Sequence, residues 1–223
     1  MKSMQKGFTL VEIAIVLVII GLLLGGILKG QEMITQAKIK NVMADFSGIS
    51  AAYHGYQDRY RRLPGDDNQA AGAAGRWTDL VAATDNGDGD GVVEGTYNGA
   101  GDIESRNFWL HLRRAGFVAG TGKDQPFNAL TGMLGVQTGD GATPPLPALL
   151  DGAAGFVGLM MCSANLPDKI AIAVDTQMDD GLSQKGTVRA LVQAGPNPAV
   201  GNVAATATYA ETGSNVYTIC RAL

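Results

Sequence analysis

The residues of this chain best equipped for chemistry are oxygen donors. Between Asp85 and Tyr97 the sequence reads Asp-Asn-Gly-Asp-Gly-Asp-Gly-Val-Val-Glu-Gly-Thr-Tyr. Counting Asn86 as position one puts Asp88 third, Asp90 fifth, Gly91 sixth, the Val92 carbonyl seventh and Glu94 ninth. Oxygens at alternate positions curl around a Ca2+ ion, and a glycine at the sixth allows the sharp turn. The usual bidentate acid at the twelfth position is absent: Tyr97 stands there, with Asp102 or Glu104 available further on. Calcium, held by Asn86, Asp88, Asp90, Val92 and Glu94, is therefore the one cofactor the sequence offers. The competing reading is a solvated acidic turn, and no cofactor is required by anything else in the chain.

A second carboxylate stands out by its surroundings. Glu12 is the single charge between Phe8 and Leu28. A helix over that stretch rises roughly 31 Å, close to the ~30 Å hydrocarbon core of a bilayer. An acid in such a segment is kept when it pairs with something, and no Lys, Arg or His lies between Phe8 and Leu28. The counter-charge must come from another molecule or from a chain terminus. Cutting the chain after Gly7 would create an ammonium group on Phe8, four residues from Glu12.

Other chemistries find little support. The two cysteines, Cys162 and Cys220, and the two histidines, His54 and His111, are too scattered for a zinc site. Gly120-Thr121-Gly122-Lys123 lacks both the earlier glycine and the following Ser or Thr of a phosphate loop, having Phe117 and Asp124 there. No nucleophile elbow or HExxH pattern occurs, and no catalytic residue is expected. A net charge of −4 gives no reason to predict nucleic-acid binding. Asp175, Asp179 and Asp180 form a further acidic group, but Asp179-Asp180-Gly181 reads as a turn.

These donors need elements to position them. With 46% hydrophobic and 17% charged residues, the chain is a folded protein. The apolar run beginning at Phe8 is longer than the core of a secretory signal and has no small-residue cleavage site closing it. It reads as a membrane-spanning helix with Lys2 and Lys6 on its N-terminal side. Beyond Lys29 the apolar residues thin to Ile39, Val42, Phe46, Ile49, Tyr53, Tyr56, Tyr60 and Leu63, spaced by threes and fours as on one helical face. That seam serves either a partner helix or, as its tyrosines favour, the chain's own head. Pro64-Gly65 ends it.

After Pro64 a Gly-, Ala- and Asp-rich connection leads, through a short helical piece near 76–83, to an amphipathic helix over Glu104–Gly116 with Phe108, Trp109 and Leu112 inward. Strands are expected at 155–164, 169–177, 186–194 and 215–223, forming an antiparallel sheet. Cys162 lies on the first and Cys220 on the last. A disulfide between them, in a head outside the cytoplasm, would contribute about 4 kcal/mol by the loop-entropy argument; the alternative is two buried thiols.

Gly7-Phe8-Thr9-Leu10-Val11-Glu12, behind the basic stretch Met1–Gly7 and ahead of the apolar run, resembles the processing site of type IV prepilins and the related pseudopilins. The resemblance implies a membrane peptidase that cuts after Gly7 and methylates Phe8, and a Glu12 that guides assembly by pairing with a neighbour's N-terminus. Weaker similarities to pilin-like heads lie at Leu63-Pro64-Gly65-Asp66 and from Asp175 to Val188. The fold implied is α+β and pilin-like: a long N-terminal helix, its first half in the membrane, packed on a small antiparallel sheet. The expected divisions are a leader (1–7), a membrane or filament-core helix (8–28), its amphipathic continuation (29–63) and a globular head (64–223). The implied partners are other copies or pilins in a filament, the prepilin peptidase, inner-membrane assembly machinery and membrane lipid. The implied location is the inner membrane with the head in the periplasm, then a pilus at the cell surface. A pseudopilin or minor pilin of a type II secretion-like system is an alternative. From another class, so is a membrane-anchored periplasmic binding module or enzyme, for which Glu12 would be incidental.

Overall fold

The computed structural model describes Gly7 and residues 9–223; residues 1–6 and Phe8 lie outside the described residues. A single helix, α1, runs over Leu10–Tyr60. Its N-terminal stretch is long and apolar enough to cross a membrane. The large side chains from Leu10 to Leu28 are all exposed, as are Met33 and Ile34. By its internal contacts the chain divides into two compact units, Met1–Lys38 and Ile39–Leu223.

In the second unit α1 buries Ile39, Val42, Phe46, Ile49, Ala52, Tyr53 and Tyr56, so the seam read from the three-four spacing is the face packed on the head. Tyr60 and Leu63 complete it, partly buried. Gly55 lets the Phe117 ring close on the helix: a Cβ there would lie 2.8 Å from Phe117 Cε1. The helix stops sooner than Pro64 requires, because Arg61 turns left-handed with φ 55° while its N–H still donates to the Gln57 carbonyl at 2.8 Å.

The head contains α2 (Ala82–Asp85), α3 (Glu104–Arg114), β1 (Leu134–Thr138), β2 (Ala148–Asp151), β3 (Ala154–Phe156), β4 (Leu159–Pro167), α4 (Asp168–Met178), β5 (Val188–Val192) and β6 (Val216–Ala222). Four strands make an antiparallel sheet in the order β1-β4-β6-β5, and β2 pairs with β3. Both faces of the sheet are covered. Phe46, Tyr56, Phe108, Trp109, Met161, Leu166, Val188, Tyr217 and Ile219 share one core. Met160, Cys162, Ala164 and Cys220 join Ala148, Leu149, Tyr97 and Val200 in another. Neighbouring residues of β4 thus alternate between two apolar environments, which is why the strand reads as an unbroken apolar run rather than an alternating one.

Two expectations are corrected. Residues 169–177 are not a strand but helix α4. The alternation of Ile170, Ile172 and Val174 is real, yet the buried set is Ile170, Ala171, Val174 and Asp175, a helical face at spacings of one and four. Asp168 fixes the start, accepting N–H bonds from Lys169 at 2.7 Å, Thr212 at 2.8 Å and Gly213 at 2.7 Å. The short helical piece falls on Ala82–Asp85 rather than 76–83. The amphipathic helix over 104–114 buries Phe108, Trp109 and Leu112 as expected.

Candidate functional site

The first site is the start of α1. Thr9 and Glu12 form a reciprocal cap. The Thr9 N–H donates to Glu12 Oε2 at 2.8 Å and Thr9 Oγ1 donates to the same oxygen at 2.7 Å, while the Glu12 N–H reaches back to Thr9 Oγ1 at 3.3 Å. Thr9-x-x-Glu12 is a capping box, satisfying donors that a helix start leaves open. No Lys, Arg or His lies between Phe8 and Leu28, but a hydroxyl and an amide engage Glu12 locally. Both bonds fall on Oε2, and Oε1 has no hydrogen-bond partner among the described residues. Gly7 is exposed. Phe8, the expected methylation site, lies outside the described residues. Cleavage after Gly7 would keep the Phe8–Thr9 peptide, so the cap survives it.

The second site is the acidic loop of the head. One carboxylate oxygen each of Asp66, Asp88 and Asp90 lie within 4.8 Å of one another, and so do those of Asp88, Glu94 and Glu104. Asp88 belongs to both groups. Hard oxygen donors in this number suit Ca2+. Asp66 and Glu104 come from outside the loop. Asp66 follows Gly65, whose φ of 96° and whose Cβ position, 2.7 Å from the Glu104 carbonyl, admit only glycine without strain. Its two oxygens accept N–H bonds from Gly89 at 2.6 Å and Gly91 at 2.9 Å. Glu104 opens α3 and accepts from the Asp88 N–H at 2.9 Å and the Glu94 N–H at 3.1 Å. Burial pushes its carboxyl up to about 8, with the Glu94 carboxylate adding to the rise. Burial also raises Asp66.

Asn86 is not brought to this cluster. Its Oδ1 accepts from the Ala71 N–H at 2.6 Å and its Nδ2 donates to the Ala71 carbonyl at 3.3 Å. Val92 stays on the loop with its N–H on Asp90 Oδ1 at 2.7 Å. The Glu94 side chain also accepts from Thr143 Oγ1 at 2.7 Å. Asp66 and Glu104 were missed because they lie well away from the loop in sequence; Glu104 was noted only as a substitute for the absent twelfth ligand.

The loop is held by a network at the end of α1. Tyr56 donates to Asp67 Oδ2 at 2.6 Å, and the buried Asp67 also pairs with Arg76, whose guanidinium lies 4.5 Å from the Tyr60 ring centre. His111 is fully buried. Its Nδ1 accepts the Gly65 N–H at 2.9 Å and its Nε2 faces the Asp85 carbonyl at 2.7 Å. Those partners fix a neutral ring protonated on Nε2, and burial pulls its pKa down to about 4. Asp175 and Asp179 likewise hold backbone and hydroxyl groups of their own neighbourhood: Tyr209 donates to Asp175 at 2.6 Å, and the Val188 N–H to Asp179 at 2.9 Å.

Cys162 and Cys220 face each other on β4 and β6 and are joined by a disulfide that spans 58 residues of sequence. Both are fully buried.

Comparison with known proteins bears on the first site. Neither the curated proteins nor the solved structures contain a match to this chain. Residues 2–28 match the family model described as the prokaryotic N-terminal methylation motif. That match covers Gly7, Phe8, the Thr9–Glu12 cap and the exposed apolar start of α1, and in this segment the chain carries the signature of type IV pilins and prepilins.

Proposed function

We propose that this chain is a structural subunit of a type IV pilus-like filament and not an enzyme. In this reading it enters the inner membrane through residues 8–28 with its head in the periplasm. A prepilin peptidase cuts after Gly7 and methylates Phe8. Inner-membrane assembly machinery then moves the subunit from lipid into a filament with other copies or other pilins. The apolar stretch meets similar surroundings in lipid and against neighbouring helices, so the transfer need not be uphill.

The observation that carries the reading is Glu12 itself. An exposed apolar helix needs a carboxylate there neither for packing nor for solubility, and its local cap engages only one of its two oxygens. Oε1, without a partner among the described residues, suits a neighbour's N-terminal ammonium, an ion pair worth most where water is scarce. The test is mass spectrometry of the mature protein. A chain beginning at N-methyl-Phe8 is expected; an intact Met1 in cells with an active peptidase would refute the reading.

Within the class, a major pilin dominates sheared filaments, whereas a pseudopilin or minor pilin is scarce there or confined to a tip. The acidic loop gives the head a second expected property, calcium binding, favoured by the convergence of Asp66 and Glu104 on Asp88, Asp90 and Glu94.

A further inference from the structure

Helix α3 ends on two consecutive arginines, Arg113 and Arg114, and the chain then turns into the loop 117–123. Both arginines, Leu110 of the same helix, and Gly120, Thr121 and Gly122 of the loop line a cavity of about 370 Å3. That is room for a small organic ligand. None of these residues belongs to the Glu12 cap or to the acidic cluster.

The walls are rich in donors. A guanidinium offers five N–H donors and no acceptor. In Arg113, Nε donates to the Ala119 carbonyl at 3.4 Å and Nη1 to the Gly122 carbonyl at 2.9 Å. These bonds hold the fork against the loop, and its Nη2 has no partner among the described residues. Arg114 Nη2 lies 2.7 Å from Oδ2 of the exposed Asp79, so an oxyanion already sits on that side chain. The Thr121 hydroxyl and the N–H groups of Gly120, Thr121 and Gly122 have no hydrogen-bond partner among the described residues. Gly120 and Gly122 have φ of 104° and 78°, and successive N–H groups in such turns form anion-binding concavities. Lys123 takes no part, since Asp85 at 2.8 Å and Asp102 at 2.7 Å hold its Nζ. The stretch 120–123, which fails as a phosphate loop in sequence, contributes through its backbone instead.

No described acid lines the cavity. Burial works against the Arg113 charge, and Asp124, which eases this, is itself paired with Arg106. A phosphate ester fits these donors. It carries about −1.5 to −2 charges at neutral pH and three acceptor oxygens, which guanidinium forks match in geometry. Leu110 offers its organic body an apolar wall. A carboxylate has one charge and two oxygens and would leave donors unused.

We propose that the cavity between α3 and the loop 117–123 binds a phosphomonoester, with Arg113 and Arg114 on its oxygens and the Gly120–Gly122 amides and Thr121 hydroxyl completing the site. The site does not depend on the filament reading. The phosphate has two possible sources, a soluble ester and a lipid headgroup, and the test separates them.

The test is titration calorimetry of the full chain in non-ionic detergent. Phenyl phosphate is the soluble probe, dihexanoyl phosphatidic acid the lipid probe and benzoate the carboxylate control. At least one phosphate probe is expected to bind about tenfold more tightly than benzoate, through the extra charge-assisted bonds. Phenyl phosphate binding assigns a soluble ligand; binding of the phosphatidic acid alone assigns a lipid one. Arg113→Gln should weaken binding about tenfold. Thr121→Val removes a hydroxyl that holds nothing else, and should weaken it about threefold at an unchanged melting temperature. Asp79→Asn takes the competing carboxylate off Arg114 and should tighten binding about threefold, a gain that misfolding cannot produce. No binding of either phosphate probe at millimolar concentration overturns the site. So does benzoate binding as tightly, or binding that Arg113→Gln or Asp79→Asn leaves unmoved.

Discussion

Glu12 caps α1 and, in the function proposed above, also carries the charge that meets a neighbour; a pair of conservative substitutions separates the two. Glu12→Gln keeps an acceptor oxygen for the Thr9 N–H and hydroxyl, and glutamine is an accepted capping-box residue; it removes only the charge. Thr9→Val keeps the shape and removes the hydroxyl, leaving the charge. A cap is worth about 0.5–2 kcal/mol. The cap is formed within one subunit and would be present both before and after assembly, so its loss should largely cancel. The charge does not cancel. An ionised acid at a helix centre in a bilayer costs ~2.5–3.5 kcal/mol. Glu12 lies only four residues inside the apolar stretch, so only part of that penalty applies to it. Pairing with an ammonium on assembly removes that cost; glutamine removes it beforehand and takes the driving force away. At 1.4 kcal/mol per factor of ten, Glu12→Gln should weaken each subunit addition roughly 5- to 30-fold, while Thr9→Val stays within about threefold. The assay is the ratio of subunit in sheared filaments to subunit in membranes, by immunoblot. Normal assembly of Glu12→Gln alongside failure of Thr9→Val would show that the cap, not the charge, is what Glu12 provides.

Two further outcomes concern the head. Replacing both cysteines by alanine should lower the melting temperature of the full chain in detergent by roughly 8–16 °C. That follows from the ~4 kcal/mol of a 58-residue crosslink and the 2–4 °C per kcal/mol of a chain this size; native protein should meanwhile resist maleimide labelling under reductant until denaturant is added, because both sulfurs are buried. Calcium and pH should act together at Glu104. Its folded pKa is raised from 4.5 to about 8, so its contribution to stability is full below pH 4.5 and is lost as pH rises towards 8. Ca2+ at 100 times its dissociation constant should reverse that loss at pH 8, adding ~2.7 kcal/mol and so roughly 5–10 °C. The gain should shrink towards pH 5 as the carboxyl takes a proton, and should vanish in Asp88→Ala/Asp90→Ala; a wild-type melting curve indifferent to calcium at pH 8 would remove the site.

What the sequence disclosed depended on whether the controlling contacts were local. The seam from Ile39 to Leu63 was legible because helical periodicity lies within the segment, and the buried set follows it nearly residue for residue. The Thr9-x-x-Glu12 box was equally local and was overlooked, since the apolar setting of Glu12 drew attention to charge rather than to the hydroxyl three residues before it. Residues 169–177 form a helix although they alternate, because the same β-branched side chains also fit a helix whose buried face is Ile170, Ala171, Val174 and Asp175. Strands β1 and β2 were unpredicted, and the single strand expected over 155–164 takes in the end of β3 and the start of β4. β1 and β2 are only five and four residues long and their burial comes from partners far along the chain. The acidic loop shows the same division. Asp88, Asp90 and Glu94 declare themselves by spacing, but the preference of Asn86 for Ala71, and the arrival of Asp66 and Glu104, are decided by tertiary packing around Gly65.

The sheet order carries one more consequence. The last strand of the chain, β6, is not at an edge but between β4 and β5. Until Val216–Ala222 is available, β4 and β5 have no common partner, and the core that joins Tyr217 and Ile219 to the α1 seam is incomplete. The pairing of Cys162 with Cys220 waits on the same event, since the two residues are directly opposite in the β4–β6 register. Contacts this distant in sequence form late and slowly. The apolar start of α1, long enough to cross a membrane, would by contrast need no tertiary partner to be helical there, because hydrocarbon leaves the backbone no alternative to its own hydrogen bonds. A subunit can therefore be anchored before its head is closed. The disulfide then locks together β4 and β6, both of which line both cores, including the one into which the α1 seam packs.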